Sequence, residues 1–541
     1  MRGRSWSNLM TTVAEEAVVD GTVDALPSET DLPAGRRAGG AWRLVVRILT
    51  PVLVALGAIF TAAAWIVSSP EGAGPDDDFH LGSIWCPQPI GEFCAIVGYD
   101  FGDQSKPIVE VPARITAMSC FVFQQPMSAA CSTKIPPDAL IGSDRVNNGG
   151  YPGAYYRIMH VFVSSSPAGS DATNLLVRSA NVLIAALFFG LLAWLLPWSM
   201  KRLLAYVMVG FSVPLVIYFV ASVNPSAWVF IGVPATWFAL TGLFATRFDG
   251  TPAWRRRALA VVAVLAVLLS AGARADGATY CFVAVLAVGA AHLPELRPSK
   301  WRANRLVLVT MLVVAVIGIV GTFGGSQSAG LVGLNGGTSG DARLLLYNVT
   351  QLPGLIAGFW TGMLGWLDTP MGSMTTVLSM TVGVGLMFQG MRRMSWMKGI
   401  AAGGVALLLL ALPLFTLLMS GLEVGQGVQP RYLAPLMLLL AAVLLSYRKK
   451  EGTHPLTGGQ TWVVYLLLVL AQSWALHELI RRYVSGENGP ALDLNKQVEW
   501  WRTGVPSPNL TWVIGSVGFA CLALVLFTVR RRAEVSGVRH D

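Results

Sequence analysis

Charge is what this chain has least of. Only 13% of its 541 residues are Asp, Glu, Lys or Arg, while 54% are hydrophobic and the mean hydropathy is +0.57. A soluble domain carries roughly a quarter charged residues, so a chain this poor in charge lacks the means to cover a water-facing surface and reads as a polytopic membrane protein. Catalytic signatures are missing as well. There is no Gly-x-x-x-x-Gly-Lys-Ser/Thr loop, no His-Glu-x-x-His and no Gly-x-Ser-x-Gly, which leaves ATP hydrolysis, zinc proteolysis and elbow-type serine hydrolysis without support. An enzyme built on this chain must take its energy from an activated substrate. The net charge of +9 does not imply a nucleic-acid partner, because the basic residues sit in short clusters between apolar runs and form no stripe.

What the chain has in quantity is long apolar stretches. The first 45 residues mix acidic residues with Gly, Pro, Ser and Thr without periodicity, and read as a disordered cytosolic tail. Arg36, Arg37, Arg43 and Arg47 then precede an apolar run from Ile48 to Val67. Further runs fall at about 174–197, 203–222, 227–245, 258–273, 278–293, 306–324, 373–391, 400–420, 432–447, 461–481 and 509–529, giving about twelve crossings. The fold class expected is therefore an all-α integral membrane protein, with a membrane domain over 46–530 and a short cytosolic tail over 531–541. Lys201 and Arg202, Arg247 with Arg255 to Arg257, Arg297 to Arg305, Arg392, Arg393 and Lys398, Arg448 to Lys450, and Arg530 to Arg532 all fall on one side, which the positive-inside tendency makes the cytosol. Both termini then lie inside, in a plasma membrane. Leu344 to Trp360, with Asn348, Gln351 and Pro353, would invert every later cluster if it crossed. The segment 344–372 is therefore read as an external re-entrant or surface element.

One large polar segment, 69–173, follows the first run and carries 11 acidic against 5 basic residues, the opposite balance to the rest of the chain. That places it as a first extracytoplasmic loop. Cys86, Cys94, Cys120 and Cys131 lie within it, and an even set in an external loop reads as disulfides. Three connectivities are open, and the local pairs Cys86 with Cys94 and Cys120 with Cys131 are preferred. A zinc site is the rival, but no histidine stands at ligand spacing from these cysteines.

The loop opens with Gly74-Pro75-Asp76-Asp77-Asp78-Phe79-His80. Adjacent carboxylates repel, which raises a pKa unless a divalent cation or basic ligand is bound, so the cluster suits metal or general-base work. The plainer alternative is a solvated acidic turn. The other outer loops hold Asn224-Pro225-Ser226, Arg274-Ala275-Asp276-Gly277, a Gly/Ser-rich loop ending at Asp341 and Arg343, Gly365-Trp366-Leu367-Asp368-Thr369-Pro370, and Glu423 to Tyr432. Arg481, Arg482, Trp500 and Trp501 complete that face. Arg274, Arg431, Arg481 and Arg482 stand where positive charge is disfavoured and a phosphate could be held. Each could equally snorkel or pair with a neighbour such as Asp276 or Glu478.

Together these segments, with Trp85-Cys86 and Gln429-Pro430-Arg431-Tyr432, resemble a family of predicted actinobacterial multi-pass membrane proteins of unassigned function, over residues 46 to about 447. That family looks like a branch of the GT-C glycosyltransferases, which use a polyprenyl-phosphate sugar and place an acidic motif in the first external loop. Asp77 stands where family members tend to have Glu, and Pro430 where they tend to have Gly. The resemblance implies a sugar transferase working on the external face, with a polyprenyl-phosphate sugar, membrane lipid and a cell-envelope glycan or lipid-linked acceptor as partners. In that reading Asp76 is the base, and Asp77 positions the acceptor or, with Asp76, a divalent ion such as Mg or Mn. Asp78, His80, Asp276 and Asp368 support them, and Arg431 and Arg274, with Tyr432 and Gln429, hold the donor phosphate. A secondary transporter or lipid flippase is the first rival, although the two halves show no similarity of the kind transporters carry. A non-catalytic envelope-assembly protein is the second.

Overall fold

The computed structural model describes residues 35–247, 250–323, 342–392, 394–446 and 456–529. The expected tail lies outside these residues as far as position 34, as do the tail 531–541, the Gly/Ser-rich loop through Asp341, and Arg393, Arg448 to Lys450 and Arg530 to Arg532. Residues 35–45, expected in the tail, instead belong to the first helix, α1 (Gly35–Val67).

Every apolar run read from the sequence has its helix. Among the described residues nine helices are long and apolar enough to cross a membrane: Leu49–Val67, Pro167–Leu195, Ser226–Ala245, Ala253–Ala273, Pro298–Phe323, Ser373–Met391, Trp396–Met419, Gly458–Val484 and Pro508–Val529. A tenth is broken, Trp198–Gly210 and Pro214–Val220 meeting at 96°. Pro214 cannot donate an amide to continue the helix, and at the break the Gln472 side chain donates to the Ser212 carbonyl. The runs near 278 and 432 form shorter apolar helices, Ala275–Ala291 and Pro430–Leu445. Ser226–Ala245 is apolar on all sides and is buried along its whole length, as a helix without a polar face must be. The Leu344 to Trp360 stretch forms a helix, Ala342–Thr361, that is not among the nine. Its Asn348 exchanges hydrogen bonds with the Leu422 carbonyl and the Val424 amide, at 3.0 and 2.8 Å.

The polar segment adds β-structure that the helical reading lacks. Strands Ile96–Asp100, Asp103–Pro112 and Leu140–Ser143 form an antiparallel sheet in chain order, with Val109 opposite both Ile96 and Ser143. Both local disulfides are formed, Cys86–Cys94 and Cys120–Cys131, with Cα atoms 5.5 and 6.1 Å apart. Cys281 and Cys521 are free thiols.

The chain between α1 and a short helix α2 (Asp77–Trp85) is irregular, yet it lies buried. Its backbone carbonyls therefore need partners that no ladder supplies. Side chains from distant helices supply them. Arg178, 1% exposed, donates to the carbonyls of Ile66, Ser69 and Pro70 at 2.8 to 3.0 Å and stands 3.8 Å from the Asp77 carboxylate. Arg502 donates to Ser69, Trp366 to Gly72, Tyr218 and Tyr483 to Ala73, and Asn224 to Pro75. Gly74 closes the segment: its amide donates to Asp77 Oδ2 at 2.8 Å, and a Cβ there would stand 2.5 Å from Asp77 Oδ1. Removing Arg178 takes a donor from three carbonyls, of which Ser69 keeps Arg502, and leaves a buried carboxylate uncompensated, a loss of about 3–5 kcal/mol. Arg178→Met should thus lower the unfolding temperature in detergent strongly. Arg178→Lys should recover only part of it, since an ammonium does not reproduce the guanidinium fork, and adding Asp77→Leu to Arg178→Met should restore part of the rest. A neutral Arg178→Met would contradict the assignment.

Candidate functional site

Asp76 precedes α2 in the left-handed region, at φ 60°. A residue with a Cβ rarely adopts this conformation, and Asp tolerates it better than most. Such local strain is characteristic of functional positions. The segment's many clamps hold it in place, and they turn the Asp76 carboxylate toward Arg431, whose Nη2 donates to Oδ2 at 2.9 Å. The Arg431 side chain is 2% exposed, whereas that of Asp76 is 39% exposed. Burial works against the charge on Asp76, but Arg431 and Arg145 outweigh it and hold the carboxyl below the usual carboxylate range.

Arg431 begins the helix Pro430–Leu445, whose first residue Pro430 fits against Gly358. Its guanidinium is sandwiched among aromatic rings, with Phe219 and Tyr432 centred 5.3 and 5.1 Å from it, and Nη2 also donates to the Tyr432 hydroxyl at 3.1 Å. Nε and Nη1 are buried without a hydrogen-bond partner, and so is Gln429 Oε1. Orphaned buried donors on a cation are costly, and they mark the place where an anionic ligand would be stabilised.

The other expected residues divide into two groups. Asp78 joins the site, accepting a bidentate pair from Arg145 at 2.6 and 3.1 Å, and Arg145 stands 3.6 Å from Asp76. His80 is buried beneath it, with Nδ1 3.0 Å from the Tyr156 hydroxyl and its ring stacked on Tyr156. Burial pushes His80 down to about 3, so it is a neutral support. Arg274 does not present a free fork: both its Nε and Nη2 donate to Asp276, at 2.9 and 2.8 Å. It reaches the site by stacking on Tyr432, 4.8 Å from the ring centre. Its expected role as a phosphate ligand is thus corrected to that of a support for Tyr432.

Asp77 and Asp368 lie elsewhere. Asp77 is fully buried among Arg178 and Gly74, with burial, only partly offset by Arg178, raising it to about 6. It cannot reach an acceptor there. Asp368 fastens a turn in which Gly365 adopts φ 62°: it accepts from the amides of Phe123 and Trp366 and from Arg482 at 3.2 Å. Arg482 donates in turn to the Phe121 and Met127 carbonyls, tying the second disulfide loop to its own helix. Among the described residues no three His, Cys, Asp or Glu side chains are grouped so that they could hold a metal ion. Asp76, Asp77 and Asp78 each face a different arginine, so the donor set does not fit a divalent cation.

Arg145, Arg178, Tyr156 and Phe219 were not expected. Arg178 alone leaves a trace in the sequence, as a cation inside the apolar run 174–197, where a charge signals a function or a buried partner.

Helix bundle, disulfide-bonded polar segment and arginine–carboxylate cluster together define a multi-pass membrane protein with a charged site where helices end. The chain belongs to the family described as Predicted membrane protein (DUF2142), whose family model matches residues 59–440. That match spans the acidic cluster, Asn224, Arg274, Asp368 and Arg431. No curated protein and no solved structure matches the chain.

Near the site two carboxyls bind protons more tightly in the folded protein than in the unfolded one. Burial, with Asp171 nearby, raises Glu71 to about 7, and burial raises Asp77 to about 6. Their contribution to stability is complete below about pH 4 and is lost as the pH rises through these values. Asp76 acts oppositely, but only at the acid end. The unfolding temperature should fall between about pH 5 and about pH 8, and Glu71→Gln should flatten that slope. A slope unchanged in Glu71→Gln would place the proton elsewhere.

Proposed function

We propose that the protein is a GT-C-type glycosyltransferase of an actinobacterial cell envelope, moving a sugar from a polyprenyl-phosphate donor to an envelope acceptor on the external face. The supporting observation is the pairing of a part-exposed carboxylate, Asp76, with a buried Arg431 that keeps orphaned donors. A base beside an anion holder is what transfer from a phosphate-activated sugar requires.

In this reading Asp76 accepts the proton of an acceptor hydroxyl while its oxygen attacks the anomeric carbon. The carbon–oxygen bond to phosphate breaks, and polyprenyl phosphate leaves with the electron pair, its charge held by Arg431. Tyr432 and Gln429 frame the phosphate, and Arg274 keeps Tyr432 in place. Asp78 and His80 hold the base from below, Asp77 and Asp368 act through the fold, and no step uses a metal. About twelve crossings put Asp76, Arg274, Asp368 and Arg431 on the extracytoplasmic side, with both termini inside.

Purified protein with a radiolabelled polyprenyl-phosphate sugar and envelope acceptor should transfer the label. Asp76→Asn should reduce turnover roughly 100-fold or more while donor binding persists. Arg431→Ala should weaken donor binding by about 1.5–3 kcal/mol, and Asp78→Asn should cost less than Asp76→Asn. Binding of polyprenyl phosphate without transfer would favour a lipid transporter, and neither would favour an assembly scaffold. Equal and small effects at Asp76 and Asp78 would overturn the mechanism. Cysteine labelling checks sidedness: the exposed positions 92, 144 and 423 should react from outside and 255 from inside, whereas external labelling at 255 would invert the topology.

A further inference from the structure

The Asp76–Arg431 pair is arranged in a way that a simple anion pocket is not. A guanidinium offers two edges to a bidentate anion, one through Nε and Nη2 and one through Nη1 and Nη2, so Nη2 belongs to both. In Arg431 both hydrogens of Nη2 are already engaged, one by Asp76 Oδ2 at 2.9 Å and one by the Tyr432 hydroxyl at 3.1 Å. Nε and Nη1, the other halves of the two edges, are buried and unpartnered. Either edge is therefore half empty and half blocked, and a phosphate can take two bonds from Arg431 only by displacing a group from Nη2. The bond to Asp76 is the stronger of the two, being charge-assisted, but a phosphate on either edge stands beside the Asp76 carboxylate, and the repulsion between the two anions favours turning the part-exposed Asp76 out toward Arg145.

We infer that Arg431 is an exchange latch, in which a phosphate monoester or diester displaces Asp76 from Nη2 and thereby frees the carboxylate that the bare site holds inactive. The inference rests on the proposed reading only in taking the ligand to be a phosphate. Without the ligand, Asp76 is paired and a poor proton acceptor. With it, Asp76 loses its hydrogen bond and gains an anionic neighbour, and both changes raise its affinity for a proton. Asp76 has somewhere to go, because its side chain is part exposed and Arg145 stands 3.6 Å from Oδ1. The latch also imposes an order, donor before acceptor, since the base exists only once the phosphate is seated.

The test uses full-length protein in detergent with two probes, inorganic phosphate and dodecyl phosphate, and two readouts. The first is affinity. Asp76→Asn removes the anionic competitor and should bind dodecyl phosphate roughly tenfold more tightly than the unsubstituted protein. Glu92→Gln removes an exposed carboxylate of the same loop that pairs with Arg157 and touches neither Arg145 nor Arg431, and should change affinity little. Arg431→Gln should weaken binding roughly tenfold to a hundredfold. The second readout is carbodiimide modification of Asp76 in the unsubstituted protein, which should rise when the phosphate is added, and this arm stands even if Asp76→Asn fails to fold. A response to dodecyl phosphate alone identifies a lipid headgroup as the ligand, and a response to both identifies the phosphate itself. Unchanged affinity in Asp76→Asn, an equal gain in Glu92→Gln, protection of Asp76 by the phosphate, or no phosphate binding at all would each overturn the latch. A failure of sugar transfer leaves these readouts untouched, so the latch and the transferase reading can fail separately.

Discussion

The structure depends on one buried cation. Arg178 lies in a largely apolar helix and donates to three carbonyls, of Ile66 in the last turn of α1 and of Ser69 and Pro70 in the segment that follows, while its charge faces Asp77. A backbone run without regular structure is expensive to bury unless each polar group is met. Here a single guanidinium meets three and Asp77 neutralises it. With the segment fixed, the residue after Pro75 is forced into a left-handed conformation, and its carboxylate faces Arg431 from 355 residues away.

This division explains why three adjacent aspartates behave differently. Asp77 points into the fold and locks it. Asp78 points to Arg145 at the rim, and Asp76 alone combines partial exposure with a buried cation. Sequence adjacency placed them in one cluster, but one left-handed residue followed by a helical turn sends the three carboxylates to three different arginines. Each carboxylate thereby meets a guanidinium, which offsets the repulsion among the three.

Much of the architecture was legible from apolar run lengths, because a membrane imposes a minimum length and excludes charge. The local disulfides were legible too, since eight and eleven residues are short closures. The three-stranded sheet was not, because its two outer strands have only five and four residues and lie largely exposed. At the site, Asp76, Asp78, His80, Arg431 and Tyr432 converge as the motifs suggested. Arg274 takes the plainer of the two alternatives its position offered, a bidentate bond to Asp276 one residue away along the chain. Arg145 was invisible, since a lone arginine in a polar loop carries no signal until the fold brings it to Asp78. Arg178 could have been found as a cation within an apolar run, which demands a partner, although the sequence leaves open which carboxylate supplies it, Asp171, Glu71 or one of the cluster.

The central claim is that Arg431 is the anion-holding centre and Asp76 its exposed partner. A cryo-electron microscopy structure with a short-chain polyprenyl phosphate tests it most directly. The account predicts phosphate density against the Arg431 guanidinium, with Asp76 turned away from Nη2 and Arg178 unmoved on the carbonyls of Ile66, Ser69 and Pro70. Phosphate density away from Arg431, with the Asp76 contact intact, would contradict it.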